Sequence, residues 1–83
     1  MNVSIEISLY PLDHNYVPPI IDFIDRCKKH SSLTIQVQPM STLITGNYDV
    51  IMDILKVELK TTFAQNLTSV GVIKIVNLDL IDR

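Results

Sequence analysis

The chain opens on strict alternation: Val3, Ile5, Ile7 and Leu9 are apolar, and Ser4, Glu6, Ser8 and Tyr10 stand between or beside them. A period of two sends successive side chains to opposite faces, so this stretch predicts a half-buried strand. Pro11 ends it, and Leu12-Asp13-His14-Asn15 reads as a turn-rich loop. The period then lengthens. Pro18 and Pro19 suit the first turn of a helix, where the missing N–H has no intrahelical partner to lose. The helix runs to about Lys29, and at ~100° per residue Tyr16, Ile20, Phe23, Ile24 and Cys27 share one face. Asp22, Asp25, Arg26 and Lys29 lie opposite.

Alternation returns in "SLTIQVQ" through Leu33, Ile35 and Val37, and "STLITG" gives a weaker strand, joined to the first around Pro39-Met40. These two predict a hairpin. Asn47 is then a good N-cap, and Asp49 places a carboxylate in the first turn, where it complements the helix dipole. This second helix reaches about Gln65, and "VGVIKIV", Val70–Val76, is the last strand. The order β-α-β-β-α-β predicts an α+β, ferredoxin-like sandwich: a four-stranded antiparallel sheet with two helices on one face. A doubly wound parallel sheet needs more βα units than 83 residues can hold.

Composition narrows the class. A chain of 83 residues forms one domain, residues 1–83, because at this length folding buries only about 60–65% of the unfolded surface. Its hydrophobic fraction of 47% is high for so small a monomer, which points to apolar surface covered by further subunits. The net charge is −2 with seven scattered basic residues, so no electrostatic footprint for nucleic acid or an anionic membrane exists. The N-terminus lacks the basic start and apolar run of a signal peptide and no segment approaches ~20 apolar residues, so a cytoplasmic protein is expected. Cys27 is the only cysteine, which leaves no disulfide framework or thiolate cluster. Asn66-Leu67-Thr68 fits a glycosylation sequon, read here as a chance match.

One sheet face should pack on the helices and leave the other open. Ser4, Glu6, Ser8 and Tyr10 then lie on the open face, and if Ile73 and Ile75 turn to the helices, Val72, Lys74 and Val76 join them. Glu6 and Lys74 are placed to pair across neighbouring strands. The second helix carries an anomaly: Asp49, Asp53, Lys56 and Lys60 form a polar arc, yet Glu58 falls among Ile51, Ile54, Leu55 and Leu59 on the far side. It either snorkels to the helix edge or is a carboxylate held in an apolar setting to pair with a cation. His14 and His30 have no neighbouring nucleophile or metal-ligand spacing and read as surface residues, so no catalytic or metal site is expected. With two glycines there is no phosphate-binding loop, and the open face lacks the exposed aromatics and basic residues of an RNA-binding sheet.

"EISLYPL", "PIIDFI" and "QPMSTLITGNYDVIMDIL" together resemble the YkoF-like family that binds thiamine and hydroxymethylpyrimidine, with its single-domain thiamine-binding relatives. The most specific parts are Ser8-Leu9-Tyr10-Pro11, Met40-Ser41-Thr42, Gly46 and Tyr48-Asp49. The resemblance implies a ferredoxin-like fold, a homotetramer built as a dimer of dimers, and binding of thiamine (vitamin B1) or its pyrimidine as ligand rather than cofactor, in salvage or transport. Such a ligand needs hydroxyls, a carboxylate and apolar or aromatic walls. Ser8, Ser41 and Thr42 are then the candidate hydroxyls, Tyr10 the wall, and Glu6 or Glu58 the carboxylate. Against this stands a plain hairpin turn, whose Ser41 and Thr42 hydroxyls bond the local backbone, and an oligomeric module with no small-molecule ligand.

Overall fold

The computed structural model describes residues 1–65 and 67–81; Asn66 of the sequon, and residues 82 and 83 of the expected domain, lie outside them. Elements follow in the order β1 (Asn2–Pro11), α1 (Val17–Lys28), β2 (Thr34–Val37), β3 (Thr42–Asn47), α2 (Tyr48–Phe63) and β4 (Ser69–Val76). The strands form one antiparallel sheet in the order β2-β3-β1-β4. This is the ferredoxin-like α+β sandwich that the periodicity predicts.

The core forms where the apolar stripes meet. Val3, Ile5, Ile7 and Leu9 of β1 and Ile44 of β3 are buried against Phe23 and Cys27 of α1 and Ile51 and Leu55 of α2. Pro18 and Pro19 occupy the first turn of α1. At α2 the Asn47 side-chain oxygen accepts from the backbone N–H groups of Asp49 (3.0 Å) and Val50 (3.3 Å), which satisfies donors with no intrahelical partner. Gly46 serves packing: a Cβ there would stand 3.1 Å from Leu33 Cδ2.

Three features depart from the sequence reading. Ser4 lies on the face away from the helices but is buried there, because the segment after β4 folds back over it. The Ser4 hydroxyl donates to the Leu78 carbonyl (2.6 Å) and accepts from the Leu80 N–H (2.9 Å). His30 is at the surface, its side chain 35% exposed, but it is not free there: its ring hydrogen-bonds Glu58 of α2. Ile73 and Ile75 do pair with Ile7 and Ile5 on the helix side of the sheet, yet they remain 44% and 51% exposed. The helices pack mainly over β1, β2 and β3 and leave β4 largely exposed.

Candidate functional site

β1 outlasts its partner. Its pairing with β3 ends at Ile7–Thr42, while its pairing with β4 continues to Pro11–Ser69. The β2–β3 hairpin turns back at this point through Pro39 and Met40, closed by a Gln38 N–H to Ser41 carbonyl bond of 2.9 Å. A cleft of about 270 Å³ opens between the end of β1, the start of α1 and this turn. Ile20, Ile24, Leu9 and Val37 contribute apolar wall, and Ser8, Gln38, Ser41 and Thr42 contribute the polar groups. A second groove, of about 510 Å³, shares Leu9, Ile20 and Met40 with it and adds Tyr10, Leu12 and Tyr16. Met40, 87% exposed, stands between the two.

The hydroxyls at this end face other side chains and a loop carbonyl. Ser8 donates to the Met40 carbonyl at 3.1 Å. The Ser41 hydroxyl lies 3.0 Å from Glu6 Oε2 and 2.9 Å from Gln38 Oε1. One hydroxyl has one proton, so it serves one of these acceptors at a time and leaves the other with spare capacity. Glu6 has one further neighbour, Lys74 Nζ at 3.8 Å, whose side chain is 81% exposed. The result is a cluster rich in acceptors beside an apolar cleft; no Lys or Arg lines the cleft itself, and Glu6 lies with Lys74 along an adjoining groove that shares Gln38. No group of three or more His, Cys, Asp or Glu that could hold a metal ion occurs among the described residues.

Glu6, Ser8, Tyr10, Ser41 and Thr42 are thus brought to one end of the sheet. Thr42 is buried and sits on the helix side, opposite Ile7 and Val37, where it lines the cleft from beneath. Glu58 is elsewhere. It lies between the helices, where it accepts from Arg26 Nη1 at 2.7 Å and from His30 Nε2 at 2.8 Å, and Arg26 also reaches the Glu58 backbone carbonyl and the Thr62 hydroxyl. The His30 hydrogen bond is the largest influence holding the Glu58 carboxyl below its ordinary pKa; burial opposes it and the Arg26 bond adds to it. Burial pushes the neighbouring Cys27 thiol up to about 11, so it is an inert core group at neutral pH. Glu58 is the cation-paired carboxylate of the sequence reading, with its partners supplied by Arg26 of α1 and by His30, two residues past its end.

The model of the thiamine-binding protein family matches residues 5–77. The chain belongs to the thiamine-binding protein family. Among solved structures, a Streptococcus pneumoniae protein is 24% identical with a TM-score of 0.86, covering 99% of this chain and 92% of its own. A Thermotoga maritima protein assigned provisionally to thiamine biosynthesis or salvage is 20% identical, with a TM-score of 0.81 and coverage of 90% and 82%. A Methanocaldococcus jannascii protein gives 24%, 0.80, 94% and 81%. At these identities the likeness is one of fold. No curated protein sequence matches the chain.

Within this thiamine-binding fold, sequence reasoning missed Gln38, Tyr16 and the Met40 carbonyl. Gln38 had a signal: with Gln36 it alternates against Ile35 and Val37, which sends it to the open face beside Glu6. The helical period puts Tyr16 on the buried face of α1, but it precedes the helix, is 55% exposed, and walls the groove instead. A backbone carbonyl in a turn leaves no trace in side-chain pattern.

Proposed function

We propose that the chain binds unphosphorylated thiamine or its hydroxymethylpyrimidine moiety at the cleft, without chemical transformation, in thiamine salvage or transport. The observation that carries this reading is the acceptor surplus: Glu6, Gln38 and the Met40 carbonyl converge on only two hydroxyls, Ser8 and Ser41. An aminopyrimidine brings N–H donors beyond those of the Gln38 amide to such a cluster. The cleft is near the lower end of ligand-site volumes, roughly 300 Å³, which suits one heteroaromatic ring. The thiazolium then extends toward Tyr10 and Tyr16, whose faces attract a cation. A phosphate finds no basic side chain among the cleft-lining residues, so thiamine phosphates are disfavoured. No described helix is long and apolar enough to cross a membrane; we place the protein in the cytoplasm as a homo-oligomer, a dimer of dimers.

Calorimetric titration with thiamine, hydroxymethylpyrimidine and thiamine monophosphate tests this. The first two should bind, and the phosphate should bind at least tenfold more weakly. At ligand about a hundredfold above Kd the protein should gain roughly 2.7 kcal/mol of stability. Binding by none of the three would refute the reading and leave an oligomeric module without a ligand. Preferred binding of the phosphate would refute the site.

A further inference from the structure

The sulfur atoms of this chain stand in opposite situations. Cys27 is fully buried in the core, and burial pushes its thiol up to about 11, so a peroxide meets no thiolate there. Met40 is 87% exposed, more than any other large hydrophobic residue among the described ones. It lines both the cleft and the groove that carries Tyr10 and Tyr16. Met1 and Met52 are also open to solvent but line neither: Met1 precedes β1, at the end of that strand remote from the cleft, and Met52 lies on α2. The backbone around Met40 is held. Ser8 donates to the Met40 carbonyl at 3.1 Å, and the Gln38 N–H reaches the Ser41 carbonyl at 2.9 Å, closing the turn across Pro39 and Met40. Its side chain is an unbranched thioether with three rotatable bonds, which adapts to whatever apolar surface lies beside it. Met40 is thus a movable apolar flap, on a fixed hinge, at the boundary of the two cavities.

We propose that Met40 is a reversible oxidation site, at which hydrogen peroxide converts the thioether to the sulfoxide and so lowers the affinity of the cleft for its ligand; the effect on affinity rests on the binding role proposed above. The sulfur lone pair attacks one peroxide oxygen, and the S–O bond forms as the O–O bond breaks. The leaving hydroxide takes the proton of the transferred oxygen and becomes water, so sulfur is oxidised and the peroxide reduced by two electrons each. A dithiol reverses the change in a reductase-catalysed step: the sulfoxide oxygen leaves as water and the dithiol becomes a disulfide. The sulfoxide is polar and hydrated where the thioether is apolar. A heteroaromatic ring seated against it must strip that water from an S=O group, which costs affinity unless a new hydrogen bond replaces it. The added oxygen also takes up room in a cleft of only about 270 Å³. The turn itself is untouched, because the bonds that close it use backbone groups and the Ser8 hydroxyl.

Calorimetry with thiamine and hydroxymethylpyrimidine on untreated, peroxide-treated and repaired protein tests it. Peptide mass mapping should show Met40 gaining one oxygen before Met52 does. Affinity for both ligands should then fall about fivefold, with an unchanged circular dichroism spectrum, and methionine sulfoxide reductase with a dithiol should restore it. Met52→Leu should lose affinity to peroxide as wild type does. Met40→Leu, whatever its own starting affinity, should give the same Kd before and after treatment. Oxidation of Met40 no faster than Met52 would overturn the proposal, as would a peroxide-induced loss that persists in Met40→Leu. Untreated protein that binds neither ligand would overturn the binding role and the oxidation switch together, whereas binding that survives complete Met40 oxidation would overturn the switch alone.

Discussion

Glu6 and Glu58 are two carboxylates within one small fold, and their surroundings differ in the way that separates a structural group from an available one. Glu58 is 8% exposed and saturated, since each oxygen accepts from a donor on or after α1 at 2.7–2.8 Å. A carboxylate removed from water is tolerated only with such partners, and here they fasten α1 to α2. Glu6 has a side chain 39% exposed, shares the single Ser41 proton with Gln38, and has Lys74 only at 3.8 Å. It keeps lone pairs free and is reachable from solvent. A ligand that brings donors gains from the second arrangement and has no access to the first.

The largest effect that would break this contrast is on stability. Glu58→Ala strands Arg26 and His30 between the helices and should cost roughly 3–5 kcal/mol in urea unfolding, the scale of breaking a buried pair, with thiamine affinity within twofold of wild type. Equal losses of stability and affinity would merge the two carboxylates into one site. Acid unfolding sharpens the same point. Because the folded Glu58 carboxyl sits below its ordinary pKa of 4.5, its stabilisation is complete above about that pH and is lost as the pH falls through the folded value. Between pH 5 and 3 wild type should therefore lose more stability than Glu58→Gln does. Parallel pH curves would show that the pair adds nothing.

Glu6→Gln should behave in the opposite way. Thiamine affinity should fall about tenfold, or ~1.4 kcal/mol, while unfolding changes by less than about 0.5 kcal/mol, as expected for an exposed pair with Lys74. Tyr10→Ala tests the cationic end: affinity for thiamine should fall about threefold while that for hydroxymethylpyrimidine holds, since an exposed cation–π contact contributes about 0.5–1 kcal/mol. If both ligands weaken equally in calorimetry, Tyr10 lines the pyrimidine subsite instead.

Much of this contrast is legible in the chain. The alternation of β1 places Glu6 on the open face, and the helical period marks Glu58 as a charge on an apolar stripe, so both carboxylates draw attention by position alone. Periodicity cannot say which partners meet them. Arg26 reads as a solvent-facing residue of α1, and only the packing of α1 on α2 brings its guanidinium to Glu58 and Thr62. Ser4 and Ile73 fail for a related reason. Period two assigns a residue to a sheet face but not the cover over that face: the chain after Val76 closes over Ser4, and Ile73 stays 44% exposed on the helix side. The cleft itself arises because β1 continues past Thr42, a length mismatch between strands that register reveals and composition does not.

The smallest expected effect separates the hydroxyls of the central hairpin. The backbone of Ser41 closes the turn by accepting from Gln38 N–H, a bond that Ser41→Ala leaves intact. Its hydroxyl lies against Glu6 and Gln38, so Ser41→Ala should change stability by less than about 0.5 kcal/mol and weaken thiamine binding by about threefold, the scale of one hydrogen bond. Thr42 faces the helices and is 5% exposed. Thr42→Val keeps the shape and removes the hydroxyl from the cleft floor, so its effect on affinity reports whether the ligand reaches that depth. If Ser41→Ala lowers the unfolding midpoint while calorimetry gives an unchanged Kd, the hydroxyl belongs to the turn and Glu6 binds without it.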